Sequence, residues 1–225
     1  MATITGLYRY AVKSLAGEAL ESAHLGVAGL AGDRRYAFMD SAPNRAGKFL
    51  TARQLNSMLT YAAHEDEGRV LVTTPAGRGL EVTSDALREE LEADIGRSLA
   101  LRLAPGSNFD DSPLLLLNLA SVRRLGDALG RDLDPRRFRA NLLLEGMEPD
   151  VEYNWLGRRL RAGSAILEGA LMCERCVMIT YDPDTVASDP AILRELTQAR
   201  QALMGVYCRV VEPGSVVLGD HVEPM

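Results

Sequence analysis

Hydrophobic and polar residues alternate in short blocks along much of the chain, which is the pattern of half-buried β-strands. Residues 2–9 and 99–103 alternate in this way, and residues 155–170 do so over a longer stretch. Shorter apolar runs lie at residues 114–117 and 142–144. Further strands are predicted at residues 19–27, 34–40, 69–73, 79–83 and 177–180, and two strands joined at Pro213-Gly214 are predicted within residues 206–222.

Three segments have helical spacing or helix-capping residues instead. A helix over residues 86–94 begins at the capping pair Ser84-Asp85, and Leu87, Leu91 and Ile95 recur at helical spacing. The other two helices are predicted from Ala120-Ser121 to Gly130 and over residues 189–203, where Pro190 suits a first turn. Many short strands with few helices predict a strand-rich α+β fold with barrel-like sheets.

The composition narrows the class of protein. A formal charge of -6 and a pI near 5.2 argue against a general nucleic-acid binder, so nucleic acid is not an expected partner. No apolar run reaches the roughly 18–20 residues of a membrane helix, and the N-terminal residues do not resemble a secretion signal. Because no segment predicts a membrane helix, we expect no membrane partner. Three cysteines do not make a disulfide framework, so we expect a reducing compartment, the cytoplasm.

Basic residues are almost all arginines, since only Lys13 and Lys48 are lysines among 25 basic residues. A GC-rich genome accounts for such an excess in general, but the planar guanidinium also binds phosphate or carboxylate at two points. Lys13-Ser14 follows the first predicted strand and precedes Gly17, and together they offer an ammonium, a hydroxyl and free backbone N–H groups. These are the parts of an anion site, but taken alone the segment is more typical of a loop with a solvated lysine.

A second basic cluster lies at residues 136–141. On an extended segment Arg137, Arg139 and Asn141 would point to one side, where they could hold a phosphate and a hydrogen-bonding heterocycle. A charged edge strand is the alternative, and Arg34 is another candidate for the same anion. The pair Asp110-Asp111 could do acid–base work, but the Ser-Pro that follows also suits a turn or a helix cap.

The segment Cys173-Glu174-Arg175-Cys176 has the most chemistry at the shortest range. Zinc would need about four ligands, and His24, His64 and His221 are isolated. A thioredoxin-type redox pair usually opens a helix, whereas this pair precedes a predicted strand. Two further interpretations stay open: inert core residues, or one thiolate that binds a metal carried by a cofactor, with nearby Arg175 favouring the thiolate.

Taken together, these segments resemble the MOSC family, named for the C-terminal domain of molybdenum cofactor sulfurase, and within it the amidoxime-reducing and YcbX-like group. The resemblance covers nearly the whole chain and implies an N-terminal β-barrel domain over residues 1–100 and a MOSC domain over 101–225, with a composition change near Pro105-Gly106-Ser107-Asn108. The matching segments are Val12-Lys13-Ser14, residues 29–34 and 50–54, Ser112-Pro113, residues 118–121 and 137–141, Cys173 to Cys176, residues 182–185, Pro213-Gly214 and Gly219-Asp220.

The resemblance also implies a molybdenum cofactor, in which molybdopterin carries the metal, and assigns residues to it. Cys176 matches the molybdenum ligand, and Asp110 matches an aspartate near the metal, so both are expected to be catalytic residues. Val186 departs from the family pattern, in which glycine is common at that position. The implied cofactor-binding residues are Lys13, Ser14, Arg34, Asp111, Ser112, Arg137, Arg139 and Asn141.

The function implied is reduction of small N-hydroxylated compounds, from N–O to N–H with release of water. Electrons would come from a separate donor protein, such as a ferredoxin-like protein, a cytochrome b5-like protein or a flavin reductase. Two alternatives are a sulfur or cofactor carrier, in which Cys176 bears a persulfide or hands over the cofactor, and a binding module that has lost the cofactor.

Overall fold

The computed structural model describes residues 1–104, 106 and 108–225, and within them the chain forms sixteen strands and three α-helices. The helices are α1 (Asp85–Ile95), α2 (Leu119–Leu129) and α3 (Pro190–Arg200). The strands are β1 (Ala2–Arg9), β2 (Glu18–Ala19), β3 (Ser22–Gly26), β4 (Gly29–Leu30), β5 (Tyr36–Asp40), β6 (Ala62–Asp66), β7 (Arg69–Thr73), β8 (Gly79–Glu81), β9 (Leu99–Leu103), β10 (Leu114–Asn118), β11 (Leu142–Glu145), β12 (Arg159–Ala162), β13 (Ala165–Glu174), β14 (Leu203–Glu212), β15 (Gly214–Val217) and β16 (His221–Pro224).

Seven strands close into a barrel in the order β11-β10-β14-β13-β12-β16-β1, and β1 completes it by pairing with β11. The pairing of β10 with β11 is parallel, and the other pairings around the barrel are antiparallel. The N-terminal strand thus belongs to the barrel that the C-terminal half builds, with Leu7 opposite Leu142 and Ala2 opposite Val222. This strand therefore joins the two halves of the sequence at one sheet.

Buried side chains form three clusters, one inside the barrel and two outside it. Strand β10 is apolar from Leu114 to Leu117 because both of its faces are buried. Leu114 and Leu116 face the barrel interior, while Leu115 and Leu117 face the cluster beneath α2 and α3. A strand with both faces buried needs no polar alternation. The third cluster lies among β5, β6, β7 and α1 and includes Phe38, Leu87 and Leu91.

The predicted strand-rich α+β fold with a barrel is confirmed, and so are all three helices. Ser84 accepts the N–H of Leu87 at the start of α1, and Gly130 ends α2 in the left-handed conformation. Three strands, not two, occupy the C-terminal segment. Pro105 and Ser107, where the composition changes, lie outside the described residues.

Two further local predictions are wrong, and both lie next to the candidate site. Val177–Thr180 is a 3-10 helix and not a strand, and Pro135–Phe138 is a 3-10 helix where an extended segment was expected. Asp134 caps the Pro135–Phe138 helix by accepting the N–H of Arg136, and Pro135 suits the first position of that helix. Within the part of the chain that the structure describes, every helix is too short or too polar to cross a membrane.

Glu152 is a fully buried carboxyl that anchors the start of α2. It accepts hydrogen bonds from Asn118 at 2.8 Å and from Ser121 at 3.0 Å. Burial raises the pKa of Glu152 above its ordinary 4.5 and outweighs these hydrogen bonds. A raised folded-state pKa stabilises the fold at low pH, and this stabilisation is lost as the pH rises through the folded-state pKa.

We therefore expect Glu152→Gln, which keeps hydrogen-bonding capacity without the charge, to gain stability relative to the wild type as pH rises. The measurement is the free energy of unfolding in urea from about pH 4 to about pH 8. Glu145→Gln is the control: Arg123 lowers the pKa of Glu145, so this variant should lose stability relative to the wild type as pH rises. A stability difference for Glu152→Gln that stays flat with pH would contradict this assignment.

Candidate functional site

Two neighbouring cavities lie between the N-terminal and C-terminal halves of the sequence. The smaller one, of about 70 Å³, is lined by both Cys173 and Cys176 and is called here the cysteine cavity. The larger one, of about 270 Å³, is lined by Tyr8, Tyr10 and Tyr181 and is called the tyrosine cavity. Arg137, Arg139 and Met178 line both, so the two cavities adjoin at these side chains. Of the predicted residues, the cysteine cavity contains Lys13, Ser14, Arg34, Asp110, Arg137, Arg139 and Cys176.

The two cysteines have different surroundings although only two residues separate them. Cys173 is the penultimate residue of strand β13, is buried, and accepts a hydrogen bond from Arg175 Nη1 at 2.8 Å. Cys176 is half-buried at the start of the Val177–Thr180 helix and accepts a hydrogen bond from Arg53 Nε at 3.2 Å. Arg175 was expected to act on the ligand thiolate, but its guanidinium contacts Cys173 and the carbonyl of Phe138.

All three cysteines are free thiols in the structure. Among the described residues, His, Cys, Asp and Glu nowhere gather in a group of three that could hold a metal ion by themselves. The zinc interpretation therefore has no structural support. A metal at Cys176 would need further ligands from a bound cofactor, which is the fourth interpretation above.

Arg53 is the residue of this site that the sequence interpretation missed. It lies in the turn after Leu50 and Thr51, 123 positions from Cys176, and its Nη2 also approaches Asp110 Oδ2 at 3.4 Å. The hydrogen bond to Cys176 is the main cause that raises the pKa of Arg53. Residues 50–54 contributed to the family resemblance, but no local pattern could assign a partner so far along the chain.

Asp110 holds two cations at the cysteine cavity. Lys13 is buried, and its Nζ donates to Asp110 Oδ1 at 2.6 Å and to the carbonyl of Asn108 at 2.9 Å. Burial lowers the pKa of Lys13, and Asp110 only partly opposes this. Burial alone would raise the pKa of Asp110, but Lys13 and Arg53 outweigh it, and the net pKa is lowered. Asp110 is therefore held as a carboxylate between two cations.

Tyr10 supports two arginines at the junction of the cavities. The guanidinium carbon of Arg139 lies 4.3 Å from the ring centroid of Tyr10, and that of Arg34 lies 5.2 Å from it. Arg34 pairs with Asp33 and donates to the carbonyl of Arg139 at 3.3 Å. The Arg139 guanidinium has no hydrogen-bond acceptor among the described residues, and burial lowers the pKa of Arg139 to about 10. An arginine without an acceptor beside a cavity is a candidate partner for an anion.

Three cavity residues have a left-handed backbone that side chains other than glycine rarely adopt. The φ angles are 68° at Ser14, 46° at Arg34 and 51° at Arg139. Such strain costs on the order of 1–3 kcal/mol at each residue and collects at binding sites. The fold thus maintains a costly arrangement at the same place where it gathers the cations.

Other predicted residues have structural partners instead. The prediction that Arg137, Arg139 and Asn141 share one side of an extended segment is wrong. Arg137 donates to Asp182 at 2.8 Å and to the carbonyl of Thr180 at 3.2 Å, so its charge is paired. Asn141 is fully buried, where it accepts the N–H of Leu115 and donates to the carbonyl of Tyr8. Its amide joins β10 to β1 and does not face either cavity.

Asp111 and Ser112 also lie away from both cavities. Asp111 is exposed, whereas Ser112 is buried and donates to the carbonyl of Cys208 at 3.1 Å. Of the Asp110-Asp111-Ser112 segment, only Asp110 reaches the cysteine cavity. The geometry therefore supports a role in the site for the first of the three residues.

Val186, which replaces the glycine common in the family, lies in the turn that begins at Asp182, the partner of Arg137. The N–H of Val186 donates to the carbonyl of Asp182 at 2.9 Å, and the φ angle of Val186 is 54°. A β-branched residue is strained in this conformation, which glycine adopts freely. The side chain packs against the buried cluster around Phe38 and Leu87, so the turn forms in spite of the strain.

The fold and the site define a β-barrel protein with a cysteine at a cation-lined cavity. The family profile described as the MOSC domain matches residues 88–223, and the MOSC N-terminal beta barrel domain matches residues 1–100. The chain belongs to the MOSC domain family.

Relatives and a solved structure agree with this placement. Human mitochondrial amidoxime-reducing component 1 is 32% identical over 126 residues, which cover 50% of this chain and 37% of that protein. Molybdenum cofactor sulfurase from Caenorhabditis briggsae is 35% identical over 134 residues, which cover 55% of this chain and 19% of that protein. The YUAD protein from Bacillus subtilis superposes with a TM-score of 0.55 at 17% identity, covering 98% of this chain and 93% of that one, and indicates likeness of fold alone.

Proposed function

We propose that the two cavities bind a molybdenum cofactor and that Cys176 is the protein ligand to its metal. The observation that carries the proposal is the convergence of Cys176 with Lys13, Ser14, Arg34 and Arg139 on one cavity. The similarity to proteins named molybdenum cofactor sulfurase supports the same conclusion. The residues named come from positions spread over more than 160 residues, so only the fold unites them.

The residues present fit the two chemical parts of such a cofactor. A phosphate needs cations and donors, and the Arg139 guanidinium has no acceptor of its own among the described residues. Lys13, Ser14 and Arg34 lie on the same cavity. A flat pterin needs room and aromatic surface, which the adjoining tyrosine cavity provides through Tyr8, Tyr10 and Tyr181.

The proposed reaction is the reduction of an N-hydroxylated compound from N–O to N–H, with release of water. When bound, the cofactor supplies the two-electron redox chemistry. The chain supplies Cys176 as ligand, Arg34 and Arg139 as anchors, and Lys13 with Asp110 as charged groups beside the site. The substrate is a small molecule, and the electrons come from a separate donor protein in a cytoplasmic setting. The reaction and the separate donor rest on the amidoxime-reducing relatives, and the cytoplasmic setting rests on the free cysteines.

A second candidate is a carrier role, in which Cys176 holds a persulfide sulfur or passes on the cofactor. The sulfurase relatives favour it. Mass spectrometry of Cys176 distinguishes the two roles, because a persulfide adds one sulfur, about 32 Da.

Molybdenum content tests the main proposal most directly. Protein purified from a host that makes the cofactor is expected to carry about one molybdenum per chain. Metal analysis by mass spectrometry, with protein from a host unable to make the cofactor as the blank, gives the answer. Wild-type protein without molybdenum from the competent host would overturn the proposal.

A further inference from the structure

Arg53 differs from the other cations of the cysteine cavity in how it meets solvent. Its side chain is 45% exposed, whereas that of Lys13 is 7% exposed and that of Arg34 is 16% exposed. It is also the cation that contacts the Cys176 sulfur within the part of the chain that the structure describes. A molecule that reaches the Cys176 sulfur from solvent therefore comes close to the Arg53 guanidinium.

The Arg53 guanidinium has donors to spare. Nε donates to Cys176 and Nη2 to Asp110, while Nη1 makes no hydrogen bond to a described residue. A guanidinium has five N–H donors in a planar fork that matches a carboxylate or another oxyanion. The contact to Asp110, at 3.4 Å, is long for a charged pair, so an incoming anion can compete for it.

We propose that Arg53 selects the molecules that reach Cys176 by their charge, and that it favours those carrying a carboxylate or another oxyanion beside the reacting atom. For the substrate, this inference rests on the proposed function and narrows the class to anionic N-hydroxylated compounds. Asp110 limits the preference, since its carboxylate offsets one of the two cations that it holds. Removing the Arg53 charge should weaken the preference, and removing the Asp110 charge should strengthen it.

Alkylation of Cys176 measures this selectivity without the cofactor. The full chain, made in a host unable to synthesise the cofactor, is treated with iodoacetate, an anion, or iodoacetamide, its neutral analogue. Peptide mass spectrometry follows modification at Cys176. Because both reagents attack the same thiolate, the ratio of their rates cancels changes in thiol ionisation or access and reports the local charge.

We expect Arg53→Gln to lower the iodoacetate-to-iodoacetamide ratio about fivefold at low salt, since one charge about 4 Å away contributes on this scale even in water. Arg53→Lys should keep most of the ratio, and Asp110→Asn should raise it. Arg158→Gln, which removes an exposed arginine that lines neither cavity, should leave it unchanged. Raising the ionic strength should reduce the wild-type ratio towards that of Arg53→Gln.

An equal ratio in wild type and Arg53→Gln, or the same shift in Arg158→Gln, would overturn the assignment of charge selection to Arg53. This outcome is separate from a failure of the proposed function, because the alkylation needs no metal and no turnover. Protein that lacks molybdenum but shows the shifted ratio would retain the Arg53 inference and reject the molybdenum proposal.

Discussion

Replacing Cys176 by serine is expected to remove molybdenum from protein made in a cofactor-producing host and to abolish any reductase activity with it. A serine hydroxyl is a far weaker ligand than a thiolate for a metal that favours sulfur. Cys176 is half-buried and faces the cysteine cavity, so the exchange of one atom should leave the fold in place. The measurement is molybdenum per chain, together with the urea midpoint as a check of folding.

Cys173→Ser is the matched control for this experiment. Cys173 is buried at 3% exposure and its sulfur is occupied by Arg175, so we assign it to the cavity wall. We expect this variant to keep its molybdenum and to lose at most a modest amount of stability. Loss of the metal in Cys173→Ser with retention in Cys176→Ser would reverse the roles of the two thiols.

The second large effect is expected from Arg139→Gln. Its guanidinium has no protein acceptor within the described chain, so its hydrogen bonds would be made to the anion of the ligand. Losing hydrogen bonds to a charged group costs about 1.5–3 kcal/mol, which weakens binding roughly tenfold to hundredfold. The variant should retain less molybdenum after dialysis than the wild type.

The same substitution should not lower the stability of the cofactor-free chain. Burying a cation without an acceptor is unfavourable, and a neutral glutamine removes that cost. Arg123→Gln is a suitable comparison, because Arg123 forms an ordinary surface pair with Glu145. Equal metal retention by the two variants, or a large loss of stability in Arg139→Gln without the cofactor, would show that Arg139 has a structural role instead.

Local sequence signals predicted most of the regular structure. The Ser84 cap, the Gly130 stop and the Pro190 start each act within a few residues, so the helices they bound were predictable. The short apolar run Val177–Thr180 was mistaken for a strand, because periodicity cannot assign so few residues. The segment 136–141 failed for a related reason, since Asp134 and Pro135 start a turn that overrides the expected extended chain.

The sequence by itself determined the strand-rich fold with a barrel, the family and the types of side chain at the site, because strand alternation, caps and motif residues are local properties. Lys13, Ser14, Arg34 and Arg139 were candidates for an anion site from the sequence, the family resemblance added Cys176, and the fold brings all five to one cavity. Only the tertiary structure decided which arginine contacts which thiol. It also placed the Asn141 amide between two strands, where its hydrogen-bonding groups are already used. Contacts such as Arg53 to Cys176 join residues 123 positions apart, and their geometry depends on the packing of both halves.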